Sequence, residues 1–252
     1  LIKFLIKNKM LYLIGLGLDL KSISLESLEV IRKCSEVCLE NYTVNFPYKI
    51  KELEKVIKKK IKIAERKDIE NFGDKILEEA EKKDVAVLIY GDPLAATTHT
   101  DLFLRAKKRK IKTRIFHNAT ILTAIAKTGL QLYKFGKVGS IPKWLKNYKP
   151  ESFYNLWLEN EKIKAHTLLL IDIDLNVKDA LKQLLEISKK RNDKKLLRKE
   201  ILICSSIGTN KEKISFSSVK KLLDGNFEFP SCIIIPSELH FIEKEFLQFF
   251  KK

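Results

Sequence analysis

The residues with the strongest chemical potential lie in one stretch, Tyr90 to Leu102, which reads YGDPLAATTHTDL. Gly91-Asp92-Pro93 is a sharp chain break, and it carries a carboxylate that can accept from hydroxyls or an amine. Thr97, Thr98, His99 and Thr100 follow as hydroxyl or imidazole donors. A second candidate is Gly15-Leu16-Gly17-Leu18, where two glycines let the backbone approach a ligand with no Cβ in the way. The third glycine of a dinucleotide fingerprint is missing, which argues against a nicotinamide site. The four cysteines are Cys34, Cys38, Cys204 and Cys232. Cys34 and Cys38 stand four apart on a predicted helix and would share a face. No nearby His or second pair completes a metal site, so all four read as buried thiols in a reducing interior.

These residues need a scaffold. Val85 to Ile89 is an apolar run that predicts a buried strand, and a polar loop at the carboxyl end of a strand is where open α/β sheets bind ligands. An ordinary strand-turn-helix connection is the alternative. Leu11 to Ile14 predicts the first strand, ending in the glycine turn. Ser24 caps a helix over LESLEVIRKC. Val37 to Leu39 is a strand, Ile50 to Lys60 a basic amphipathic helix, and Ile61 to Ala64 a short strand. Asp68 to Lys82 is a helix, another resumes at Asp101 with Leu102, Leu104 and Ala106 as apolar positions, and Thr113 to Phe116 is a strand. This alternation predicts βαβ units and a parallel sheet. Asn118 or Thr120 would cap a helix running to about Lys127, and its N-terminus would present free backbone N–H groups. After Gly129 the pattern changes. Gly136, Gly139 and Pro142 suggest hairpin-like strands, and Ser152 to Lys162 and Val177 to Lys190 are helices. Thr167 to Ile171, Glu200 to Ser206 and Ser231 to Ile235 are strands. Arg191 to Glu200 reads as a mobile charged loop, and Ile242 to Phe250 as a closing helix.

The chain has 252 residues, enough for a sizeable core, and its 45% hydrophobic content excludes a disordered chain. No apolar run reaches the roughly 18–20 residues that span a bilayer. Leu1 to Lys9 is too short for a signal peptide and lacks a small-residue cleavage site. The net charge of +17 would suit a nucleic-acid binder or a protein docking on an acidic partner. Lys is spread almost evenly, however, and no basic stripe is interleaved with aromatics as single-stranded nucleic acid requires. We read the charge as compositional bias, with a basic docking face as the alternative.

GDPLAATTHTDL resembles the signature of the diphthine synthase family. Four further segments resemble it in the same order: Leu11 to Leu18 (LYLIGLGL), Gly129 to Gly136 (GLQLYKFG), His166 to Asp172 (HTLLLID) and Pro236 to His240 (PSELH). Glu40-Asn41-Tyr42-Thr43 is similar to its E-x-Y-T and could line the substrate cleft or be a solvated loop. The resemblance implies a two-domain, tetrapyrrole-methylase-like α/β fold of class III methyltransferases. Its parts would be an N-terminal parallel-sheet domain (10–118), a C-terminal mixed-sheet domain (119–252), and a cleft between them for S-adenosylmethionine. Residues 1–9 would be an extension, since family chains begin near Met10. Carried over by position, the implied cofactor contacts are Leu18, Asp92, Ala95, Thr120, Ile121, Ile171, Ile207 and Ser231. Ser231 departs from the His frequent in the family and would act through its backbone. The loop after Leu18 is one residue short of the family pattern. The glycine corner and Asp92 are expected to face each other across one crevice.

The implied reaction is methyl transfer from the sulfonium to the amine of an aminocarboxypropyl-histidine on translation elongation factor 2, with no metal. The archaeal type stops at the trimethylated amine, which the compact length favours; the eukaryotic type also methylates a carboxylate. His99, Asp101 and Tyr42 could manage the amine proton, but each has an equal structural role, Asp101 as a helix cap. No catalytic residue is assigned. A cytoplasmic homodimer without membrane or direct nucleic-acid binding is the implied setting. The alternatives are a porphyrinoid methyltransferase of the same fold and a basic RNA-binding module.

Overall fold

A computed structural model describes residues 9–65 and 73–251. Leu1 to Asn8, most of the expected extension, and the first part of the helix expected from Asp68 lie outside the described residues. The chain divides into two compact units, Leu1–Leu122 and Thr123–Lys252.

The first unit alternates strand and helix: β1 (Met10–Gly15), α1 (Leu25–Lys33), β2 (Glu36–Glu40), α2 (Ile50–Ile57), β3 (Lys62–Ala64), α3 (Gly73–Lys82), β4 (Val85–Ile89), α4 (His99–Lys108) and β5 (Lys112–Phe116). The sheet order is β3-β2-β4-β1-β5, and every pairing is parallel, as expected. Every residue of β4 is buried, because helices cover both sheet faces. Successive side chains alternate between two cores. Leu11, Leu13, Val85, Val87 and Ile89 pack with residues of α3 and α4. Ile14, Leu16, Ala86 and Leu88 pack with residues of α1 and α2. The neighbours β1 and β4 therefore send their following helices to opposite faces. That arrangement is a switch point, where open α/β sheets form ligand crevices beyond the carboxyl ends of the strands.

Several local expectations are corrected. Cys34 is the C-cap of α1 and Cys38 lies within β2, so they do not share a helix. Helix α2 stops at Ile57 because Lys58 takes a left-handed conformation, φ 57°. Helix α4 begins at His99, which puts Asp101 inside its first turn and leaves Leu104 50% exposed. Ser24 does cap α1, accepting from the Ser27 N–H.

After the single-turn α5 (Ile121–Ala124), the second unit contains β6 (Gly139–Ile141), α6 (Ser152–Lys162), β7 (Thr167–Ile171), α7 (Val177–Lys190), β8 (Glu200–Ser205), β9 (Lys213–Ser218), α8 (Val219–Leu222), β10 (Ser231–Ile235) and α9 (Phe241–Leu247). The order is β6-β7-β10-β8-β9, mixed as expected. Only β6 and β7 are parallel; the other pairs are antiparallel. The glycines around Gly136 therefore do not mark a hairpin, since α6 carries the chain across. Strand β9 was not expected. Ser215 and Ser217 are buried on one face and Phe216 on the other, so its polar face is covered as well, although Ile214 to Ser217 alternates apolar and polar. The 191–200 segment is pinned rather than loose: Leu196 is fully buried, and Ser188 Oγ donates to the Asp193 carbonyl. Phe153, Tyr154 and Trp157 of α6 and Leu181, Leu184 and Ile187 of α7 form the core with Ile201, Ile203, Ile233 and Ile235.

Candidate active site

Three chain segments come together at the carboxyl edge of the first sheet. The Gly17 N–H donates to the Gly91 carbonyl at 3.1 Å, and the Gly91 N–H donates back to Gly17 at 2.9 Å. The glycine corner and the Asp92 turn are thus joined directly, which corrects the expectation of a crevice between them. The glycines are required for this contact. A Cβ on Gly15 would lie 2.6 Å from the Gly91 carbonyl oxygen, and Gly17 has φ +71°.

Asp92 is buried at 8% exposure, and both of its oxygens have partners in the protein. Its Oδ1 accepts from the Leu94 N–H at 2.9 Å. Its Oδ2 accepts from the Asn118 N–H at 3.1 Å and lies 2.8 Å from His117 Nδ1. Asn118 completes the joint. Its Nδ2 donates to the carbonyls of Gly15 (3.0 Å) and Ser22 (2.9 Å), while its Oδ1 accepts from the Ala119 N–H at 2.8 Å. Asn118 is therefore a clamp between the β1 and β5 loops rather than the expected helix cap. The expected helix to Lys127 is one α-turn followed by a 3₁₀ turn, Ile125–Thr128. Tyr90 adds a third tie, its hydroxyl donating to the Leu18 carbonyl at 2.8 Å. Sequence reasoning missed the roles of His117, Asn118 and Tyr90. Their residue types were visible, but only the parallel sheet order brings β1, β4 and β5 side by side.

The implied contacts fall into two sets, each at one edge of its own sheet. In the first unit, Leu18 is buried and Ala95, Thr120 and Ile121 are half-buried; Leu18, Ala95 and Thr120 lie in the loops after β1, β4 and β5, and Ile121 opens α5. In the second unit, Ile171 ends β7, Ile207 follows β8, and Ser231 opens β10. Because β10 runs antiparallel to both neighbours, its start lies at the edge where β7 and β8 end. Ser231 Oγ donates to the Glu228 carbonyl at 2.5 Å, so its hydroxyl is engaged within the unit. Each set, taken by itself, is mostly apolar with few polar groups.

The three proton-handling candidates separate. His99 is fully buried, and neither ring nitrogen has a hydrogen-bond partner among the described residues. Burial lowers its pKa, opposed by the charge of Glu40, so the ring is neutral. Asp101 pairs with Arg105 at 2.8 Å on the helix surface and is not the expected cap. Tyr42 sits in a loop organised by Glu40. This fully buried carboxylate accepts from the Tyr42 N–H (2.8 Å), the Thr43 N–H (2.7 Å) and Thr43 Oγ1 (2.7 Å). The E-x-Y-T segment is thus built around a buried acid and is not a simple solvated loop.

A sequence model of the tetrapyrrole (corrin/porphyrin) methylases matches residues 10–223. A diphthine methyl ester synthase of Homo sapiens is 37% identical over 270 residues, covering 96% of this chain and 95% of that protein. A diphthine synthase of Methanocaldococcus jannaschii is 39% identical over 252 residues, covering 95% of this chain and 98% of that protein. The chain belongs to the diphthine synthase branch of the tetrapyrrole methylase family. A crystal structure of a diphthine synthase superposes with a TM-score of 0.88 at 31% identity, covering 96% of each chain. Membership in this branch makes the chain a methyltransferase, and it accounts for the parallel and mixed sheets in succession. Among the described residues, no helix is long and apolar enough to cross a membrane.

Proposed function

We propose that this chain uses S-adenosylmethionine to methylate the amine of the aminocarboxypropyl-histidine on translation elongation factor 2, as a diphthine synthase. The observation that carries the reading is similarity over nearly the whole chain to a diphthine methyl ester synthase of Homo sapiens and a diphthine synthase of Methanocaldococcus jannaschii. The porphyrinoid alternative is not favoured by those relatives, and a bare RNA-binding module does not account for them. Leu18, Ala95, Thr120 and Ile121 on the first unit, with Ile171, Ile207 and Ser231 on the second, are the proposed cofactor contacts. These apolar and small residues fit the adenine and methionine portions. Asp92 holds the loops in place, and the acceptor capacity its two oxygens retain makes it a further proposed contact, to the ribose hydroxyls or the amine of the cofactor.

When bound, S-adenosylmethionine supplies an electrophilic methyl group on a sulfonium. The protein's own contribution is placement, worth up to roughly 7–11 kcal/mol where donor and acceptor are aligned. The Gly17–Gly91 joint and the Asn118 clamp provide it by fixing three loops to one rigid sheet edge. The acceptor must arrive as the free amine, and its proton leaves to solvent; none of His99, Asp101 or Tyr42 is assigned that proton. We further propose a cytoplasmic homodimer without direct nucleic-acid binding.

Mass spectrometry tests the reading. The protein is incubated with S-adenosylmethionine and elongation factor 2 bearing the unmethylated precursor, and methyl additions are counted. Three additions to the amine are expected; a fourth, removable by mild base, would mark a methyl ester. No addition with active cofactor and correct precursor overturns the proposal. Light scattering after gel filtration reads the oligomeric state.

A further inference from the structure

Helix α2 carries a hollow of about 430 Å³ lined by Lys51, Glu54, Lys55, Lys58, Lys59 and Lys60. Three of these groups are committed. Glu54 accepts from the Ile61 N–H at 3.0 Å and pairs with Lys60 at 3.4 Å, while Lys59 donates to the Cys34 carbonyl at 2.9 Å. Lys51, Lys55 and Lys58 are exposed and make no direct ion pair among the described residues, although Lys51 is near enough to Glu54 to feel its charge. Lys51 and Lys55 stand four apart on the helix, so like charges repel along one face, a destabilising arrangement. The helix is held in spite of this by Leu53 and Ile57, which are fully buried. The left-handed turn at Lys58 then curls the chain back, so that the lysines wrap around a concavity.

From these features we infer that the hollow is an electrostatic docking site for an acidic, carboxylate-rich segment of the protein substrate. The inference rests on the reading of a protein acceptor given above. No aromatic and no arginine lines the hollow. It therefore lacks the stacking platforms that hold single strands and the planar forks that grip phosphate in pairs. Flexible ammonium groups suit a scattered set of carboxylates. Helix α2 returns the chain from the end of β2 to the start of β3, so its last turn lies at the amino edge of the sheet, away from the Asp92 loops. The site is thus remote from the chemistry. It raises encounter with substrate without contributing to turnover.

The test uses the full chain and two variants, K51E/K55E/K58E and K51Q/K55Q/K58Q, whose substituted side chains are all solvent-exposed. With elongation factor 2 bearing the precursor, kcat/KM at low salt should fall about tenfold or more in the reversal variant and less in the neutral one. In both, kcat and S-adenosylhomocysteine affinity stay unchanged, and the difference from the unsubstituted protein shrinks as salt is added. A second arm measures anisotropy of a labelled glutamate-rich peptide and of a labelled double-stranded RNA. Loss of peptide binding in the variants supports the site. Unchanged kcat/KM with an unchanged salt dependence overturns it, as does selective loss of RNA binding. If the unsubstituted protein methylates nothing, the functional reading fails instead, and the peptide arm still decides whether the hollow binds acidic chains.

Discussion

His166 Nε2 lies 3.1 Å from Glu243 Oε1, with both side chains fully buried. The Ser237 N–H donates to His166 Nδ1 at 3.0 Å, so Nε2 carries the ring proton and donates to the carboxylate. Glu243 also accepts from the backbone N–H groups of Gln131 (2.9 Å) and His240 (2.8 Å) and pairs with Lys134. The three family-like segments of the second unit, GLQLYKFG, HTLLLID and PSELH, therefore converge on one buried acid. Their resemblance to the family has a structural cause there, separate from any ligand.

Acid should unfold the second unit through this node. Burial alone would raise the Glu243 pKa, but its four donors bring it from 4.5 down to about 2. A depressed carboxylate stabilises the fold above its unfolded value and loses that contribution as pH falls from about 4.5 toward 2. Burial also lowers the His166 pKa against the opposing pull of Glu243. Its contribution is present above about 6.5 and declines as pH falls below it. Thermal melts from pH 7 to 3 should show Tm dropping in both windows, and Glu243→Gln should flatten the lower one. Glu243→Ala should cost about 3–5 kcal/mol at pH 7 in urea denaturation, because it strands buried partners.

Asn118→Ala removes both amide donations to Gly15 and Ser22. Leaving partly buried carbonyls unpaired costs about 1–3 kcal/mol. Calorimetric titration with S-adenosylhomocysteine should show affinity lowered by about tenfold, the equivalent of 1.4 kcal/mol. Asn118→Asp should not restore it, since a carboxylate cannot donate to those carbonyls.

Gly15→Ala places a methyl group 2.6 Å from the Gly91 carbonyl oxygen. Backbone cannot yield as a side-chain tip would, so the Gly17–Gly91 pair of hydrogen bonds should open. A stability loss of about 1–3 kcal/mol is expected in denaturant titration, with weaker cofactor binding than in Gly139→Ala. At Gly139 the nearest atom is the end of a leucine side chain, at 3.0 Å.

All four cysteines are buried. Burial pushes the Cys34 and Cys38 thiols up to about 12, helped at Cys38 by Glu36. Iodoacetamide at pH 8 should leave the native protein unlabelled over an hour and label all four sites in urea, since only the thiolate reacts. Native labelling at Cys38 would contradict the packing described for β2.

Much of the architecture was legible from periodicity. Val85 to Ile89 reads as a strand buried on both sides because its apolar run is unbroken, and Val177 to Lys190 reads as a helix because its leucines recur at helical spacing. Ser24 marks its helix through a local hydrogen bond that needs no tertiary partner. The residues proposed as cofactor contacts lie near strand ends in each unit, and strand ends can be counted along the chain.

Other features depended on residues distant in sequence. Asn118 serves Gly15, and Asp92 serves Asn118, only because β1 lies between β4 and β5, and that order is set by packing in three dimensions. Strand β9 alternates apolar and polar over only the four residues Ile214 to Ser217, too short a stretch to mark it, and its pairing with β8 extends it to six. Asp101 looked like a cap until α4 began two residues earlier and gave it Arg105. Local hydrogen bonds and side-chain spacing determined the elements by themselves; which elements are neighbours, and hence which polar groups are satisfied and which loops are clamped, was decided by the burial of two-faced sheets.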